Sequence, residues 1–216
     1  MRPRITISKE NYLKAIAEAE GEGEVVKAVT LSRWLSVSAP AVTMAIKRLR
    51  RDGLIRAASD GQLSLTAAGR QIANRLLNRH HLIERMLAEI FGLEWYKVHE
   101  EAEQLEHAVS EDFERKLVEK LGAAGPCPHG NIVGMDSPRA RRDRGLKPLD
   151  EAQPGDTVLV VSVFERDRAF LEFLDKSGIR PGAHCEVTAA GHEIEGKIGP
   201  RPIRLERAAA SKVWVK

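Results

Sequence analysis

The sequence predicts a mainly α protein with a small β domain, and three observations support this fold class. Residues 1–75 combine helical patterns with one short hairpin. Residues 76–121 are helical in pattern and rich in His and Glu. Residues 147–216 show short apolar runs separated by turn residues, which is typical of strands. We therefore expect a winged helix-turn-helix domain, a helical domain with metal ligands, a linker over 122–146 and a small, mostly antiparallel barrel.

The composition is that of a globular chain with two cores. The chain has 216 residues, of which 43% are hydrophobic and 30% charged, enough for one substantial core and a smaller one. It has no run near the roughly 20 apolar residues that span a bilayer, and the start Met1–Thr6 lacks the apolar core of a signal peptide. We therefore expect a cytoplasmic protein. Only Cys127 and Cys185 occur, which argues against a disulfide framework and favours inert thiols.

The charge is distributed unevenly along the chain. The formal net charge is +3. Residues 1–79 carry 14 Lys and Arg against 7 Asp and Glu, whereas residues 80–121 carry 5 against 11. A basic first segment suggests a polyanionic partner, and an acidic second segment suggests a cation.

The first 51 residues have the pattern of a helix-turn-helix. Ser8–Ala17 predicts a first helix with Ser8 as its N-cap, and a short helix opens at Thr30 and stops near Val37. In the third helix, predicted over Ser38–Arg51, Ser38 can cap, and Pro40 suits the first turn, where its missing N–H is harmless. The buried stripe of this third helix is formed by Val42, Ile46 and Leu49.

A hairpin and a long helix follow. Asp60-Gly61 is a tight-turn signal between Leu54–Ala58 and Gln62–Leu65. A helix-turn-helix followed by a hairpin is a winged helix. Thr66–Arg70 begins the next helix, predicted over Gln71 to about Glu89, which leads out of this domain.

Imidazoles and carboxylates occur at helical spacing in the middle of the chain. His80 and Glu84 are four residues apart on the long helix. A further helix, about Glu94 to Val109, carries a second set on one face. That set consists of His99, Glu103, Glu106 and His107. Each residue alone fits a solvated helix surface, but the ensemble indicates metal ligands.

Three further regions complete the organisation. Ser110–Val118 predicts a capped helix, and the linker contains Cys127-Pro128-His129, interpreted as a turn with an incidental Cys and His. In the barrel region Phe170–Lys176 predicts a short helix. The predicted strands there are Thr157–Phe164, Cys185–Val187, Pro202–Leu205 and Lys212–Val215.

These motifs together resemble the diphtheria toxin repressor and manganese transport regulator family. The resemblance is carried by the winged helix, by Arg79-His80-His81-Leu82-Ile83-Glu84, by Lys97-Val98-His99-Glu100-Glu101-Ala102-Glu103 with Leu105-Glu106-His107, and by the barrel. It implies a metal-activated transcriptional repressor that forms a homodimer through its helical domain and binds double-stranded DNA at a pseudo-palindromic operator, with no membrane partner. It also implies that the barrel is an SH3-like, FeoA-like domain.

The resemblance implies two metal sites. One would use His80, Glu84 and His99, completed from the barrel, where Glu165 and Asp167 are the candidates. The other would use Glu103, Glu106 and His107 with a ligand from the first helix, which is Asn11 or its neighbour Glu10. Family members usually have Met or Asp at the position of Asn11.

The metal expected from the resemblance is Mn2+, with Fe2+ as the alternative. Iron-responsive members carry Cys at the position of Glu103, whereas manganese-responsive members carry an acid. Mn2+ is a hard ion that favours oxygen ligands, and a thiolate biases a site toward softer ions. Glu103 therefore favours manganese.

The expected DNA contacts lie at the start and on the outward face of the third helix. Hydroxyls can bond phosphates or base edges, apolar groups can meet a thymine methyl, and cations can neutralise phosphates. The candidates are Ser38, Pro40, Thr43, Met44, Lys47, Arg48 and Arg51.

Two other functions compete with this prediction. A metal-independent winged-helix regulator would not need His and Glu at these spacings. A metal-dependent hydrolase could use such sites to activate water, but a basic winged helix has no role in one, and the sequence shows no separate general base or nucleophile motif. We therefore expect a regulator and not an enzyme.

Overall fold

The computed structural model describes residues 5–123 and 125–216, so Met1–Arg4, the start of the predicted DNA-binding domain, and Ala124 of the predicted linker lie outside the described residues. The chain divides into two compact units. Unit 1 comprises the chain up to His80 together with Val133–Pro138, and unit 2 comprises His81–Ile132 and Arg139–Lys216. Among the described helices, none is both long and apolar enough to cross a membrane.

The first helix of unit 1, α1, spans Ile7–Gly21. It begins before the predicted cap: the Thr6 hydroxyl, and not that of Ser8, accepts a hydrogen bond from the backbone N–H of Lys9. The inner face of α1 packs into a core shared with the next two helices and the hairpin. The fully buried members of this core include Leu13, Ile16, Leu31, Val42 and Leu49.

The helix-turn-helix is formed by α2 (Ala28–Leu35) and α3 (Ala39–Arg51). The turn between them contains Ser36, the one described non-glycine residue with a positive φ, 52°. Ser38 occupies the N-cap position of α3 with extended backbone, but its hydroxyl makes no capping hydrogen bond. Pro40 lies in the first turn of α3, as predicted.

The predicted wing is a two-stranded antiparallel sheet of β1 (Ile55–Ala57) and β2 (Leu63–Leu65). Its turn is closed by the Asp60 carboxylate, which accepts a hydrogen bond from the N–H of Gln62 at 3.0 Å. A winged helix is therefore confirmed.

The long helix α4 spans Ala67–Arg85, begins within the predicted starting segment Thr66–Arg70 and continues as one π-helical turn over Met86–Ile90. Gly69 allows its first turn to approach the wing, because a Cβ there would lie 2.0 Å from the Leu54 carbonyl oxygen. His80 and Glu84 lie one turn apart on this helix.

The helices of unit 2 begin with α5 (Val98–Leu105) and α6 (Glu111–Leu121). The predicted helix ran from about Glu94 to Val109, so α5 begins four residues later and ends four residues earlier, and Glu106 is its C-cap. Ser110 caps α6 as predicted, accepting a hydrogen bond from the N–H of Phe113. A small core joins α5, α6 and the end of α4, formed by Leu82, Ile83, Met86, Ala102 and Leu117.

The segment predicted as a linker contributes buried structure to unit 2. Helix α7 (Pro138–Asp143) forms within it, and the Arg141 side chain is buried. The Arg141 guanidinium donates to the Asn131 side-chain oxygen at 3.0 Å and lies 5.0 Å from the centre of the Trp214 ring. Gly130 packs so closely against the strand Thr157–Val163 that a Cβ would lie 1.9 Å from the Val161 carbonyl oxygen. The predicted linker therefore contains a helix and buried side chains.

The barrel domain of unit 2 is a six-stranded antiparallel sheet in the order β3-β8-β4-β5-β6-β7. Helix α8 spans Arg168–Ser177, and a short α9 spans Arg207–Ala210. The strands are β3 (Lys147–Pro148), β4 (Thr157–Val163), β5 (His184–Ala190), β6 (Glu193–Ile198), β7 (Arg201–Glu206) and β8 (Val213–Val215). The strands β3 and β6 were not predicted. Gly196 lies at the centre of β6, where a Cβ would come 2.5 Å from the Glu186 carbonyl oxygen. The close approach of β5 therefore requires glycine at this position. The same glycine interrupts the apolar pattern by which a strand is predicted from sequence.

Candidate metal centre

Three of the predicted ligands come together inside unit 2. Glu84 from α4, His99 from α5 and Glu165 from the loop after β4 place their ligand atoms within 4.8 Å of one another. The His99 Nδ1 atom is 3.0 Å from Glu84 Oε1 and 3.8 Å from Glu165 Oε1. Glu84 is fully buried and His99 is 4% exposed. Two carboxylates and an imidazole at this depth need a cation, and a divalent ion would meet that need.

The same centre includes side chains that sequence reasoning missed. His129 is fully buried, and its Nδ1 lies 3.5 Å from Glu84 Oε1 and 3.4 Å from Glu165 Oε2. Its other ring nitrogen, Nε2, lies 3.1 Å from the Trp95 carbonyl oxygen. That is the orientation of a metal-binding imidazole, in which one nitrogen faces the ligand cluster and the other donates to the backbone.

Cys127 and Asn131 of the same turn face Glu165. The Cys127 thiol donates to Glu165 Oε2 at 3.1 Å, and the Asn131 amide donates to the same oxygen at 2.7 Å. The turn is held by backbone hydrogen bonds between Cys127 and Asn131 and between Gly130 and Cys127. These residues form the predicted turn, but its Cys and His side chains face the carboxylates of Glu84 and Glu165. The only sequence signal was a Cys and a His two residues apart.

The electrostatics of the cluster follow from its two buried carboxylates. Burial works to lower the pKa of His129, but the charges of Glu84 and Glu165 outweigh it and raise that pKa to about 10. Burial and the charge of Glu84 work to raise the pKa of Glu165, but hydrogen bonds from His129 and His81 hold it well below its usual range. Burial and the two carboxylates raise the pKa of the Cys127 thiol well above its ordinary value. By itself, then, the cluster holds a protonated His129 between carboxylates at neutral pH.

The donor set fits a divalent metal ion. Carboxylate oxygens and imidazole nitrogens suit manganese and iron, and ligand protonation makes binding compete with protons. A dication would neutralise the carboxylates of Glu84 and Glu165 in place of the proton on His129.

His80 lies on α4 one turn before Glu84 and is fully buried. Within unit 1 its Nδ1 is 3.0 Å from Nζ of Lys14, a buried lysine of α1.

The second predicted set, Glu103, Glu106 and His107, lies at the end of α5. Because α5 ends at Leu105, Glu106 and His107 follow in a turn and not on the predicted helical ladder. The His107 Nε2 atom is 3.5 Å from Glu106 Oε1, and Glu106 is 3% exposed.

Glu103 lies between the two sets. Its Oε1 is 3.6 Å from His99 Nε2 and 3.3 Å from the Arg166 guanidinium. Metal binding by Glu103 would have to compete with the Arg166 ion pair.

The remaining predicted ligands lie on α1 and at the start of α8. Asn11 and Glu10 are half-buried residues of α1 in unit 1. Asp167 is the N-cap of α8, where its carboxylate accepts a hydrogen bond from the N–H of Phe170 at 3.0 Å. This capping role accounts for Asp167, so Glu165 is the barrel acid of the cluster.

The residues predicted to contact DNA lie on the exposed side of α3 and at its start. All are exposed, namely Ser38, Pro40, Thr43, Met44, Lys47, Arg48 and Arg51. Met44 is an apolar residue that is half exposed, and the cations Lys47 and Arg48 follow it one turn later on α3. This surface suits a DNA groove, and each contact stays a prediction.

A winged helix with a basic, exposed third helix, joined to helices that gather carboxylates and imidazoles, defines the class of metal-dependent DNA-binding regulators. The family model described as "Iron dependent repressor, N-terminal DNA binding domain" matches residues 4–63. A second, "Iron dependent repressor, metal binding and dimerisation domain", matches residues 66–133. The FeoA domain model matches residues 147–216.

Individual relatives agree with these matches. The diphtheria toxin repressor of Corynebacterium efficiens is 34% identical over 188 residues, covering 82% of this chain and 81% of its own length. The iron-dependent repressor IdeR of Mycobacterium tuberculosis is 34% identical over 189 residues, covering 82% of each chain. The chain belongs to the iron-dependent repressor family, and it is a metal-dependent, DNA-binding transcriptional repressor.

Solved structures support the same family. A manganese-dependent transcriptional repressor in complex with manganese has a TM-score of 0.84 at 30% identity, covering 96% of this chain and 98% of its own. The IdeR of T. acidophilum has a TM-score of 0.79 at 25% identity, covering 99% of both chains. The expected fold of winged helix, helical domain and SH3-like FeoA domain is confirmed.

Proposed function

We propose that this repressor responds to manganese(II) and, as a homodimer, binds a pseudo-palindromic operator that controls metal-uptake genes. The observation that carries the choice of metal is the carboxylate of Glu103 at the end of α5. Manganese lies at the weak end of the Irving-Williams order and favours oxygen ligands. A structural relative is described as a manganese-dependent repressor bound to manganese, which supports the proposal.

The proposed regulatory site joins Asn11, or Glu10, with Glu103, Glu106 and His107. The family resemblance supports this assignment. An ion held by α1 of unit 1 and by α5 and its following turn in unit 2 would restrict the arrangement of the two units. A dimer must present its two recognition helices about 34 Å apart to enter successive major grooves, so such a restriction raises operator affinity.

The second proposed site is the cluster of Glu84, His99 and Glu165 with His80. Its ligands come from α4, from α5 and from the loop after β4. A dication there would stabilise unit 2, because it links the barrel domain to the helices that carry the regulatory ligands. The first site thus sets the affinity for DNA, and the second stabilises the helices that carry the ligands of the first.

Iron(II) is the second candidate, for two reasons. Asn11 supplies a neutral oxygen where an acid would favour manganese more strongly, and the relatives at 34% identity are described as a diphtheria toxin repressor and an iron-dependent repressor. Either ion would activate the repressor by the same mechanism. The choice between them is therefore decided by comparing operator binding in manganese(II) and in iron(II).

Operator binding should increase at least about 100-fold when manganese replaces chelator, a coupling of about 2.7 kcal/mol. The ion favours the DNA-competent arrangement and needs no contact with DNA. The probe is a duplex selected from a random pool in the presence of manganese, and the readout is fluorescence anisotropy with manganese, with anaerobic iron(II) and with chelator.

Two variants serve as controls for this experiment. Lys47→Ala on α3 should weaken binding in every condition, and Lys197→Ala, an exposed barrel residue, should leave it unchanged. Equal affinity with manganese and with chelator would contradict metal control. Activation by iron(II) at concentrations well below those of manganese would contradict the choice of metal.

Glu103→Cys should shift the activating metal from manganese toward iron(II) and cobalt(II). The substitution replaces a hard oxygen ligand by a thiolate, which softer ions prefer. The measurement is the ratio of half-activating concentrations for manganese and cobalt(II). Glu101→Cys, on an exposed position of the same helix, adds a thiol without touching the site and should keep the wild-type ratio. An unchanged ratio in Glu103→Cys would remove Glu103 from the regulatory site.

A further inference from the structure

A second ligand set overlaps the cluster inside unit 2. His81, Glu84, Cys127 and Glu165 place one ligand atom each within 4.8 Å of one another. Glu84 and Glu165 also belong to the set with His99. The pocket therefore offers the same two carboxylates to two different groups of partners, and only one of these groups contains sulfur.

The members of the sulfur-containing set come from three segments: α4, the turn that carries Cys127 and the loop after β4. His81 and Glu84 are three residues apart on α4 and so share a face of the helix. The His81 Nε2 atom is 3.8 Å from Glu165 Oε1. His81 and Cys127 are 7% and 3% exposed, and Glu84 is fully buried.

The turn that carries Cys127 is rigidly supported. The Cys127 N–H donates to the Asn131 carbonyl oxygen at 2.9 Å, and the Gly130 N–H donates back to the Cys127 carbonyl oxygen at 2.8 Å. The Asn131 side chain bonds both Glu165 and Arg141. The thiol therefore points at the Glu165 carboxylate from a fixed position, and an ion between them requires no change of fold.

We propose that Cys127 is a thiolate ligand for divalent ions softer than manganese, such as cobalt(II) and zinc(II), and that His81, Glu84 and Glu165 complete this set. The inference rests on the proposed metal centre and deepens it. When the metal–sulfur bond forms, the thiol loses its proton to solvent, and its hydrogen bond to Glu165 is replaced by coordination of both groups to one ion. No electron is transferred.

The two overlapping ligand sets differ in the ions that they favour, because only one of them contains sulfur. Manganese binds through oxygen and nitrogen and leaves the thiol protonated, whereas cobalt(II) and zinc(II) recruit the sulfur. A sulfur, a nitrogen and two oxygens also supply the four donors that the tetrahedral coordination of zinc requires. Cys127 thus raises the affinity of this pocket for cobalt(II) and zinc(II) and leaves its affinity for manganese unchanged.

The test is an anaerobic cobalt(II) titration of the full-length, reduced protein, followed by its optical spectrum. The wild type should develop a thiolate-to-cobalt charge-transfer band in the near ultraviolet together with the visible ligand-field bands. Cys127→Ser should lose the charge-transfer band, because its hydroxyl can keep the hydrogen bond to Glu165 but cannot supply a thiolate. The matched control is Cys185→Ala, which removes the other buried thiol and should keep the band.

Affinities provide a second readout. Zinc affinity, measured by competition with a chromophoric chelator, should fall at least about tenfold in Cys127→Ser, while manganese affinity stays unchanged. Circular dichroism of each variant checks that the chain is folded.

The outcomes separate this proposal from the proposed function. A charge-transfer band that persists in Cys127→Ser, or ligand-field bands without one in the wild type, would overturn the thiolate ligand and leave the metal centre in place. No cobalt spectrum at all would overturn both. Equal loss of zinc and manganese affinity in Cys127→Ser would make Cys127 a structural residue and would also overturn the proposal.

Discussion

His107→Ala should reduce metal-stimulated operator binding to the level measured with chelator. His107 is the proposed imidazole ligand of the regulatory site, and it follows α5 directly after the buried Glu106. Losing an outer-shell partner typically costs 10- to 100-fold in metal affinity, so losing a ligand should cost at least about 100-fold. The measurement is fluorescence anisotropy on the selected duplex across a manganese titration, with circular dichroism and sedimentation as checks on the fold and the dimer.

The matched control is His192→Ala, because His192 is an exposed histidine between β5 and β6. It should keep the full manganese response. A normal response in His107→Ala would remove His107 from the regulatory site, and a loss in both variants would show that the effect is not specific to the site.

Glu84→Gln should remove one bound manganese ion per chain and most of the rise in Tm that manganese produces. The Glu84 carboxylate is fully buried and belongs to both overlapping ligand sets. The amide keeps the shape but not the charge, so the dication loses half of its buried carboxylate partners. Since a ligand stabilises the folded state in proportion to the logarithm of its concentration over Kd, a weaker site gives a smaller shift in Tm.

Metal stoichiometry by equilibrium dialysis and thermal unfolding with and without manganese test this prediction. Glu186→Gln, an exposed acid on β5, is the control and should behave as the wild type. If Glu84→Gln binds as many ions as the wild type and shows the same shift in Tm, the cluster is an internal ion-pair network and not a metal centre.

Much of the fold follows from local pattern. The winged helix was predicted because Pro40 after Ser38 and Asp60-Gly61 are turn and cap signals that act over a few residues. Errors in the helices lie at their ends: α1 is capped by Thr6 and not by Ser8, and α5 stops at Leu105. Alternative caps differ little in local free energy, so packing selects among them.

The composition of the metal cluster depends on contacts between residues far apart in the chain. Glu165 and Asp167 are equivalent as acids in one loop, yet the first enters the cluster and the second caps α8. His129 comes from a Gly- and Pro-rich segment with no periodicity, and no local rule predicts that it is buried beside Glu84. Whether each of these side chains is buried depends on which elements, distant in sequence, pack against it.

By itself the sequence determined the class of protein, because periodicity, turn chemistry and the spacing of His80, Glu84, His99 and His107 are local properties written along the chain. Tertiary structure alone decided which barrel acid and which linker residues join the cluster. A metal site needs several donors within a few ångströms. Glu84 lies 15 residues from His99 and 81 residues from Glu165 along the chain, and only packing brings such donors to that distance.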